Sequence, residues 1–169
     1  MKRILLVLVF LIGFFGYSQA QKEKYQSLFI YNFTKYIKWP DTYNPGTFVI
    51  AVIGNSTIVD ELNGMAASKK QTTSGATIEI KKYNSVDEIG ACHILFVSEN
   101  AVDKLGQIET KTAGKPVLLV TDTPGMATQG AVINFVEKDG KIKFELNESQ
   151  AGKRNLAVSS SLTSLAIII

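Results

Sequence analysis

The stretch "TFVIAVIGNSTIVDELNGMA", residues 47–66, decides the fold class. Its first half is an apolar, β-branched run of strand length that ends at a glycine. Its second half places Ile58 and Leu62 at helical spacing, behind Asn55 or Ser56 as candidate caps. A strand that is apolar on both faces and leads directly into a helix is typical of a parallel sheet covered on both sides. The stretch therefore predicts an α/β fold.

The same alternation continues along the chain. Three more strand-like runs follow, "ATIEIKKY" (76–83), "CHILFVS" (92–98) and "PVLLVTD" (116–122), with a predicted helix, "ENAVDKLGQIETK" (99–111), between the last two. We expect these runs to form a mixed, mostly parallel sheet flanked by helices.

A change of pattern marks the C-terminal part of the chain. The segment at about residues 131–147, "AVINFVEKDGKIKFELN", has two strand-like runs around Asp139-Gly140, which is a strong signal for a β-hairpin. A short helix at "ESQAG" (148–152) is predicted next. The last segment, "SSSLTSLAIII" (159–169), is predicted to be a terminal helix that buries its isoleucines.

An aromatic segment precedes the first strand. In "KEKYQSLFIYNFTKYIKW", residues 22–39, apolar residues recur at spacings of three and four, which predicts an amphipathic helix that packs against the strand at 47–54. We expect Pro40 to end the helix and Trp39 to close its end over the core. Tyr31 lies off the apolar face. The residues of that face are Tyr25, Leu28, Phe29, Phe33, Tyr36 and Ile37.

The N-terminus predicts export. Lys2 and Arg3 precede an apolar run, and small residues lead to a cleavage site after Ala20, so residues 1–20 are predicted to be a signal peptide. The run is shorter than the roughly 20 residues that span a bilayer, and Gln21 replaces the cysteine of a lipid-anchored protein. We expect a periplasmic α/β domain over residues 21–169, without direct membrane insertion.

Charge and reactive residues exclude several functions. Without Lys2 and Arg3, the 18 basic residues fall to 16 against 15 acidic ones, and no basic stripe for nucleic acid remains. Cys92 and His93 are adjacent in a predicted strand, so their side chains point to opposite faces. Zinc sites usually have three or four Cys, His or carboxylate ligands, so one cysteine and one histidine do not predict one, and no phosphate-binding loop occurs. The sequence therefore predicts no catalytic, metal or cofactor site, with Cys92 and His93 in the core.

The ends of the parallel strands carry the remaining candidate for a ligand site. Asp122 follows one strand, Ser98 and Glu99 follow another, and Asn55 follows the first. Open α/β sheets bind ligands beyond the carboxyl ends of their strands. The alternative is that Asp122 only begins the turn at Pro124.

An ordered set of motifs carries a family resemblance. "YNFTKYIKWP", "VIG", "CHILFVS", "VLLVTD", "INFVEKDGKIKFELN" and "LAVSSSLTSLA" follow one another, and the chain resembles the YfiR-type periplasmic family over nearly all of its length after residue 20. The motif residues that we take as a structural signature are Asn32, Phe33, Trp39, Pro40, Cys92, His93 and Asp122.

The resemblance implies a function as well as a fold. Characterised members of the family are non-catalytic periplasmic repressors that bind the extracytoplasmic part of an inner-membrane diguanylate cyclase and restrain cyclic di-GMP synthesis and biofilm formation. Related domains act as sensory modules, which makes a periplasmic small-ligand sensor the alternative. Members often have disulfides, and the lone Cys92 departs from that pattern. A homodimer is left open.

A partner surface is predicted near the end of the hairpin. In "KIKFELN" (141–147), Glu145 and Asn147 point away from the face of their apolar neighbours, and Asn155 follows in the next loop. With Tyr31 on the helix, these residues are the predicted partner contacts. The alternative for Glu145 is an ordinary solvated side chain, and the alternative for Asn147 is a helix cap.

Overall fold

The fold is a mixed α/β structure, seen in a computed structural model that describes residues 21–43 and 46–169. The predicted signal peptide lies outside these residues. In chain order the strands are β1 (Ile37–Lys38), β2 (Phe48–Ile53), β3 (Ile78–Tyr83), β4 (Ile94–Val97), β5 (Leu118–Thr121), β6 (Ile133–Lys138), β7 (Lys141–Leu146), β8 (Ala157–Val158) and β9 (Ile167–Ile168).

Five α-helices and two 3₁₀-helices connect these strands in the described part of the chain. The α-helices are α1 (residues 21–36), α2 (Ile58–Lys69), α3 (Leu105–Lys111), α4 (Glu148–Lys153) and α5 (Ser160–Thr163). The 3₁₀-helices cover Glu99–Lys104 and Met126–Gln129, so the predicted helix at 99–111 is divided between a 3₁₀-helix and α3.

Seven strands form the main sheet, in the order β3-β2-β4-β5-β6-β7-β9. The pairs from β3 to β6 are parallel, β6 and β7 form an antiparallel hairpin, and β9 pairs parallel to β7. Strands β1 and β8 form a separate antiparallel pair. The predicted fold class and hairpin are therefore confirmed.

The aromatic helix α1 packs on a different strand pair from the one predicted. The Phe33 ring centroid lies 6.0 Å from that of Phe135 and 5.5 Å from that of Phe144, so α1 covers the hairpin β6–β7 rather than β2. The buried face runs through Gln26, Ile30 and Phe33. Because Gln26 is polar, the apolar periodicity of the sequence does not identify this face as the buried one.

The ends of the aromatic segment also differ from the prediction. The spacing predicts Tyr25 and Leu28 on the buried face, but they are 49% and 42% exposed. Helix α1 ends at residue 36, and Ile37 belongs to β1, because the chain there pairs with β8 and the Ser159 N–H donates to the Tyr36 carbonyl at 2.9 Å. Trp39 is therefore beyond the helix, and it packs edge-on against Phe48 of β2.

The predicted terminal helix is short. Ser159 caps α5, with its side-chain oxygen accepting from the Leu162 N–H at 3.3 Å, but the helix ends at Thr163. The chain then turns into β9, which pairs with the edge of β7. The last isoleucines are predicted in the core, but in this edge strand Ile168 and Ile169 are exposed.

Candidate functional site

Exposed apolar side chains gather at the β9 edge of the main sheet. Leu165 is 65% exposed, Ile168 47% and Ile169 45%. Glu145 of β7 is the register partner of Ile167, so these two side chains lie on the same face of the sheet, while Ile168 points to the opposite face at the same edge. We call Leu165, Ile168, Ile169 and Glu145 the edge patch. A cluster of exposed apolar residues with a polar margin is typical of a protein-binding surface.

A chain of buried hydrogen bonds holds Glu145. The Asn134 side-chain amide donates to Glu145 Oε2 at 2.9 Å, and Thr121 Oγ1 donates to Asn134 Oδ1 at 2.7 Å. Asn134 and Thr121 are completely buried, while Glu145 is half-buried. Because one carboxylate oxygen is fixed by Asn134, the Glu145 side chain is oriented before any partner arrives. The sequence alone gave no sign of this connection to Thr121 and Asn134.

The two predicted asparagines differ in their surroundings. Asn147 caps α4, because its Oδ1 accepts from the Gln150 N–H at 2.9 Å and its Nδ2 donates to the Ala127 carbonyl at 2.8 Å. Both ends of the Asn147 amide are therefore used inside the fold. Asn155 is exposed, with a positive φ of 55°, in the turn after α4. Its role as a partner contact remains a prediction.

Tyr31 lies on another side of the molecule. Its half-buried ring has the Lys69 ammonium of α2 at 5.3 Å from the centroid, so this part of α1 faces α2. Helix α2 connects β2 and β3, whereas the edge patch is on β9 at the opposite end of the sheet. The structure therefore does not place Tyr31 together with Glu145. Asn32, the next residue, is exposed.

Aromatic rings surround His93 at the amino ends of β2 and β4. The His93 ring is stacked on Phe48 at 4.3 Å, and the centroids of Trp39 and Tyr43 lie 6.0 Å and 5.2 Å away. His93 Nδ1 accepts from the Val49 N–H at 3.0 Å. Burial lowers the pKa of His93 to about 4, opposed by a hydrogen bond with the Tyr43 backbone. The imidazole is therefore neutral and holds the strands together.

Cys92 is also buried and carries no bond to another cysteine. Desolvation raises the pKa of its thiol to about 12, against a smaller lowering by Lys115 and Lys81. Its backbone carbonyl accepts from the Tyr43 hydroxyl at 2.8 Å. A thiol that stays protonated in an apolar environment is a poor nucleophile. Within the described residues, no group of three His, Cys, Asp or Glu side chains could hold a metal ion.

Comparison with known proteins assigns the family. The family model described as YfiR/HmsC-like matches residues 23–167, which is nearly the whole chain. The chain belongs to the YfiR/HmsC-like family. The match includes Trp39, Pro40, Cys92, His93 and the strand that carries Glu145. This is a family of periplasmic regulators rather than of enzymes. No curated protein matches the chain.

The described part of this YfiR/HmsC-like chain has no helix that is long and apolar enough to cross a membrane. The apolar members of the edge patch are Leu165 between α5 and β9, Ile168 in β9 and Ile169 directly after it.

The predicted cluster at the carboxyl ends of the strands does come together. Asn55, Ser98, Glu99 and Asp122 line one cavity of about 310 Å³, together with Lys22 and Glu23 of α1. Asp122 Oδ2 accepts from Lys22 Nζ at 2.9 Å and from Gln26 Nε2 at 3.3 Å. Asp122 therefore binds the start of α1, and its role in holding a ligand remains a prediction.

A second contact fixes α1 over the same cavity. Thr57 Oγ1 donates to Glu23 Oε1 at 2.6 Å, on the loop that follows β2. Two hydrogen bonds join the loops at the floor of the cavity, because the Asn100 side chain accepts from the Asn55 N–H at 3.0 Å and donates to the Asn55 carbonyl at 2.9 Å. Gly54 has a φ of 92°, and a Cβ there would lie 2.2 Å from Ser98 Oγ. Any larger residue at Gly54 would displace this loop.

Proposed function

We propose that this protein is exported to the periplasm after loss of residues 1–20 and represses an inner-membrane diguanylate cyclase by binding its extracytoplasmic part. It performs no catalysis in this role. The observation that carries the proposal is the edge patch, in which three apolar side chains are exposed at the β9 edge and the neighbouring strand β7 carries a carboxylate that the fold holds in place. Membership of a family of periplasmic regulators supports the same reading.

The composition of the edge patch favours contact with a protein partner over exposure to water. Leu165, Ile168 and Ile169 expose apolar surface that the fold does not bury, and burying such surface on association is favourable by roughly 25 cal/mol per Å². Glu145 adds specificity to this apolar contact, because its carboxylate accepts hydrogen bonds from cationic or amide donors on the partner. The matching surface on the cyclase is therefore apolar, with an Arg, Lys or backbone N–H group at its margin.

Repression follows from unequal binding to two states of the partner. A ligand shifts a conformational equilibrium only by the difference between its affinities for the two states. A protein that binds the inactive cyclase about 100-fold more tightly than the active one supplies roughly 2.7 kcal/mol toward inactivity. The edge patch must therefore meet a surface of the cyclase that changes between its active and inactive states.

The cellular experiment is deletion of the gene followed by measurement of cyclic di-GMP. We expect the nucleotide to rise, and to return to its original level when the wild-type gene is restored. Restoration with a variant that has Leu165→Asp and Glu145→Lys should leave the level high. Unchanged cyclic di-GMP in the deletion strain, together with no membrane protein captured by cross-linking, would contradict the repressor proposal.

A control variant separates the edge patch from the effect of placing an aspartate at any exposed leucine. Leu28→Asp changes another exposed leucine, on the outer side of α1. It should restore repression as well as the wild-type gene does. If Leu28→Asp fails to repress and the edge-patch variant succeeds, the partner surface is on α1 instead. Thermal melts of both variants check that each is folded.

A further inference from the structure

A groove of about 840 Å³ lies at the amino ends of β2 and β4, away from the edge patch. This volume is within the usual range of small-molecule sites, roughly 300–1,000 Å³. One wall consists of the aromatic segment around Trp39, and the opposite wall is the turn from Thr73 to Ala76. The other lining residues that matter for a ligand are Lys35, Lys38, Pro40, Asp41, Tyr43, Phe48 and His93.

The base of the aromatic wall is fixed before any ligand binds. His93 uses one ring nitrogen for the Val49 N–H and has a hydrogen bond with the Tyr43 backbone, and it stacks on Phe48. The Tyr43 hydroxyl donates to the Cys92 carbonyl. A site whose walls are already ordered loses little conformational freedom when it binds a ligand.

The accessible part of the wall is flat and apolar. Phe48 and His93 are buried, so the half-exposed Trp39, Pro40 and Tyr43 present the ring surfaces that a ligand would meet. The Trp39 indole N–H is covered and has no acceptor among the described residues. A small rotation that brings this N–H to a ligand oxygen therefore breaks no hydrogen bond, and it would satisfy a buried donor.

The charged residues at the groove favour an anion. Lys35 and Lys38 line it, against one carboxylate, Asp41. The salt bridges among the described residues join Lys22 to Asp122 and Lys81 to Glu79, so neither groove lysine has a carboxylate partner there. Lys35 Nζ lies 5.1 Å from the Tyr36 ring centroid, and Lys38 is exposed. Both ammonium groups remain available to a bound carboxylate.

We propose that this groove binds a small organic acid with a flat apolar body. The body lies against Trp39, Pro40 and Tyr43, and the carboxylate pairs with Lys38 and Lys35 and accepts from the Trp39 N–H. The site is independent of the proposed partner surface, because it is formed by β1, β2 and the residues before β4, whereas the edge patch is formed by β7 and β9.

Trp39 provides the measurement, because it is the only tryptophan in the sequence. Benzoate is the probe, with acetate as the carboxylate without a ring and benzyl alcohol as the ring without a carboxylate. We expect benzoate to change the Trp39 emission saturably and acetate to have no saturable effect. Benzyl alcohol should bind more weakly than benzoate, because it cannot pair with the two lysines.

Two double variants with the same change of charge locate the carboxylate. Lys35→Gln with Lys38→Gln should weaken benzoate binding by roughly fivefold, which is the size expected for loss of exposed ion pairs. Lys24→Gln with Lys111→Gln, at exposed positions outside the groove, should bind as the wild type does. The proposal is wrong if benzoate gives no saturable change, if both double variants bind it equally, or if benzyl alcohol binds as tightly as benzoate.

Discussion

The parallel and C-terminal halves of the main sheet use their side chains differently. Every residue of β4 and β5 is buried, as is every residue of β2. Strand β7 is fully buried only at Phe144 and Leu146, and the short β9 has no fully buried residue. These inner strands of the parallel half therefore have few side chains left for function at their faces, whereas its edge strand β3 is buried only at Ile78. The C-terminal half keeps one face and one edge available.

The two halves meet in a polar seam, next to the apolar register pair of Val120 and Ile133. Thr121 ends the last buried parallel strand, Asn134 lies on β6 and Glu145 lies on β7, joined by hydrogen bonds. Buried polar groups are costly unless they are paired, so this row fixes the position of the C-terminal half relative to the parallel half. The same row ends at the carboxylate of the edge patch.

The largest effect should come from the aromatic residue that fastens α1 to the C-terminal half. Phe33 is completely buried against Phe29, Phe135 and Phe144. Phe33→Ala should lower the free energy of unfolding by about 3–5 kcal/mol, the usual cost of truncating a buried phenylalanine. Chemical denaturation followed by circular dichroism measures it. Tyr25→Ala, at an exposed position on the same helix, is the control and should cost far less.

A pH-dependent effect should come from His93 in the parallel half. Burial lowers its folded-state pKa from 6.5 to about 4. Between these two pH values His93 is therefore protonated in the unfolded chain and neutral in the folded chain. The stabilisation is complete above pH 6.5 and is lost as the pH falls toward 4. The slope approaches about 1.4 kcal/mol per pH unit, for a total of roughly 3 kcal/mol.

The measurement compares the wild type with His93→Phe between pH 7 and pH 4. As the pH falls, the wild type should lose stability relative to the variant, because the variant has no histidine at position 93 that takes up a proton on unfolding. Carboxylates titrate alike in both proteins, so they cancel in the difference. A difference that does not change with pH would mean that His93 has the same pKa in the folded and the unfolded protein.

The contrast between the two halves also explains which parts of the fold could be predicted from the sequence. The apolar runs of β2, β4 and β5 are visible because burial on both faces excludes polar residues from them. The Asp139-Gly140 turn reveals the hairpin, because both of its residues take the positive φ that this turn requires. For these strands and this turn, the local sequence pattern was sufficient to predict the structure.

The sequence could not reveal features that depend on distant pairing. Strands β1, β8 and β9 have two residues each, so no periodicity marks them, and each forms only because a partner strand is adjacent. For this reason the sequence pattern predicts Glu145 of the edge patch but places its three apolar members in the core. The carboxyl-end cluster was placed correctly, because parallel strands end at one edge. Its engagement by Lys22 and Gln26 was not visible, since α1 was expected on another strand.

A smaller loss of stability is expected at the seam. Asn134→Ala removes the amide between Thr121 and Glu145 and leaves the buried Thr121 hydroxyl without its acceptor. The expected cost is about 1–3 kcal/mol, measured by thermal and chemical unfolding. Glu145→Gln, which keeps an acceptor for the Asn134 amide, should cost less. Equal losses in the two variants would show that the charge of Glu145, rather than the Asn134 bridge, stabilises the seam.

The smallest effect is expected at the edge patch. Leu165→Ser should change the free energy of unfolding by less than about 0.5 kcal/mol, because Leu165 is 65% exposed and such surface positions rarely matter for stability. Leu162→Ser, three residues earlier and almost completely buried, is the matched variant and should cost several times more. The pair tests whether the C-terminal half really separates residues that hold the fold from residues that remain free. If Leu165→Ser destabilises the protein as much as Leu162→Ser, Leu165 belongs to the core in solution, and the edge patch loses its most exposed member.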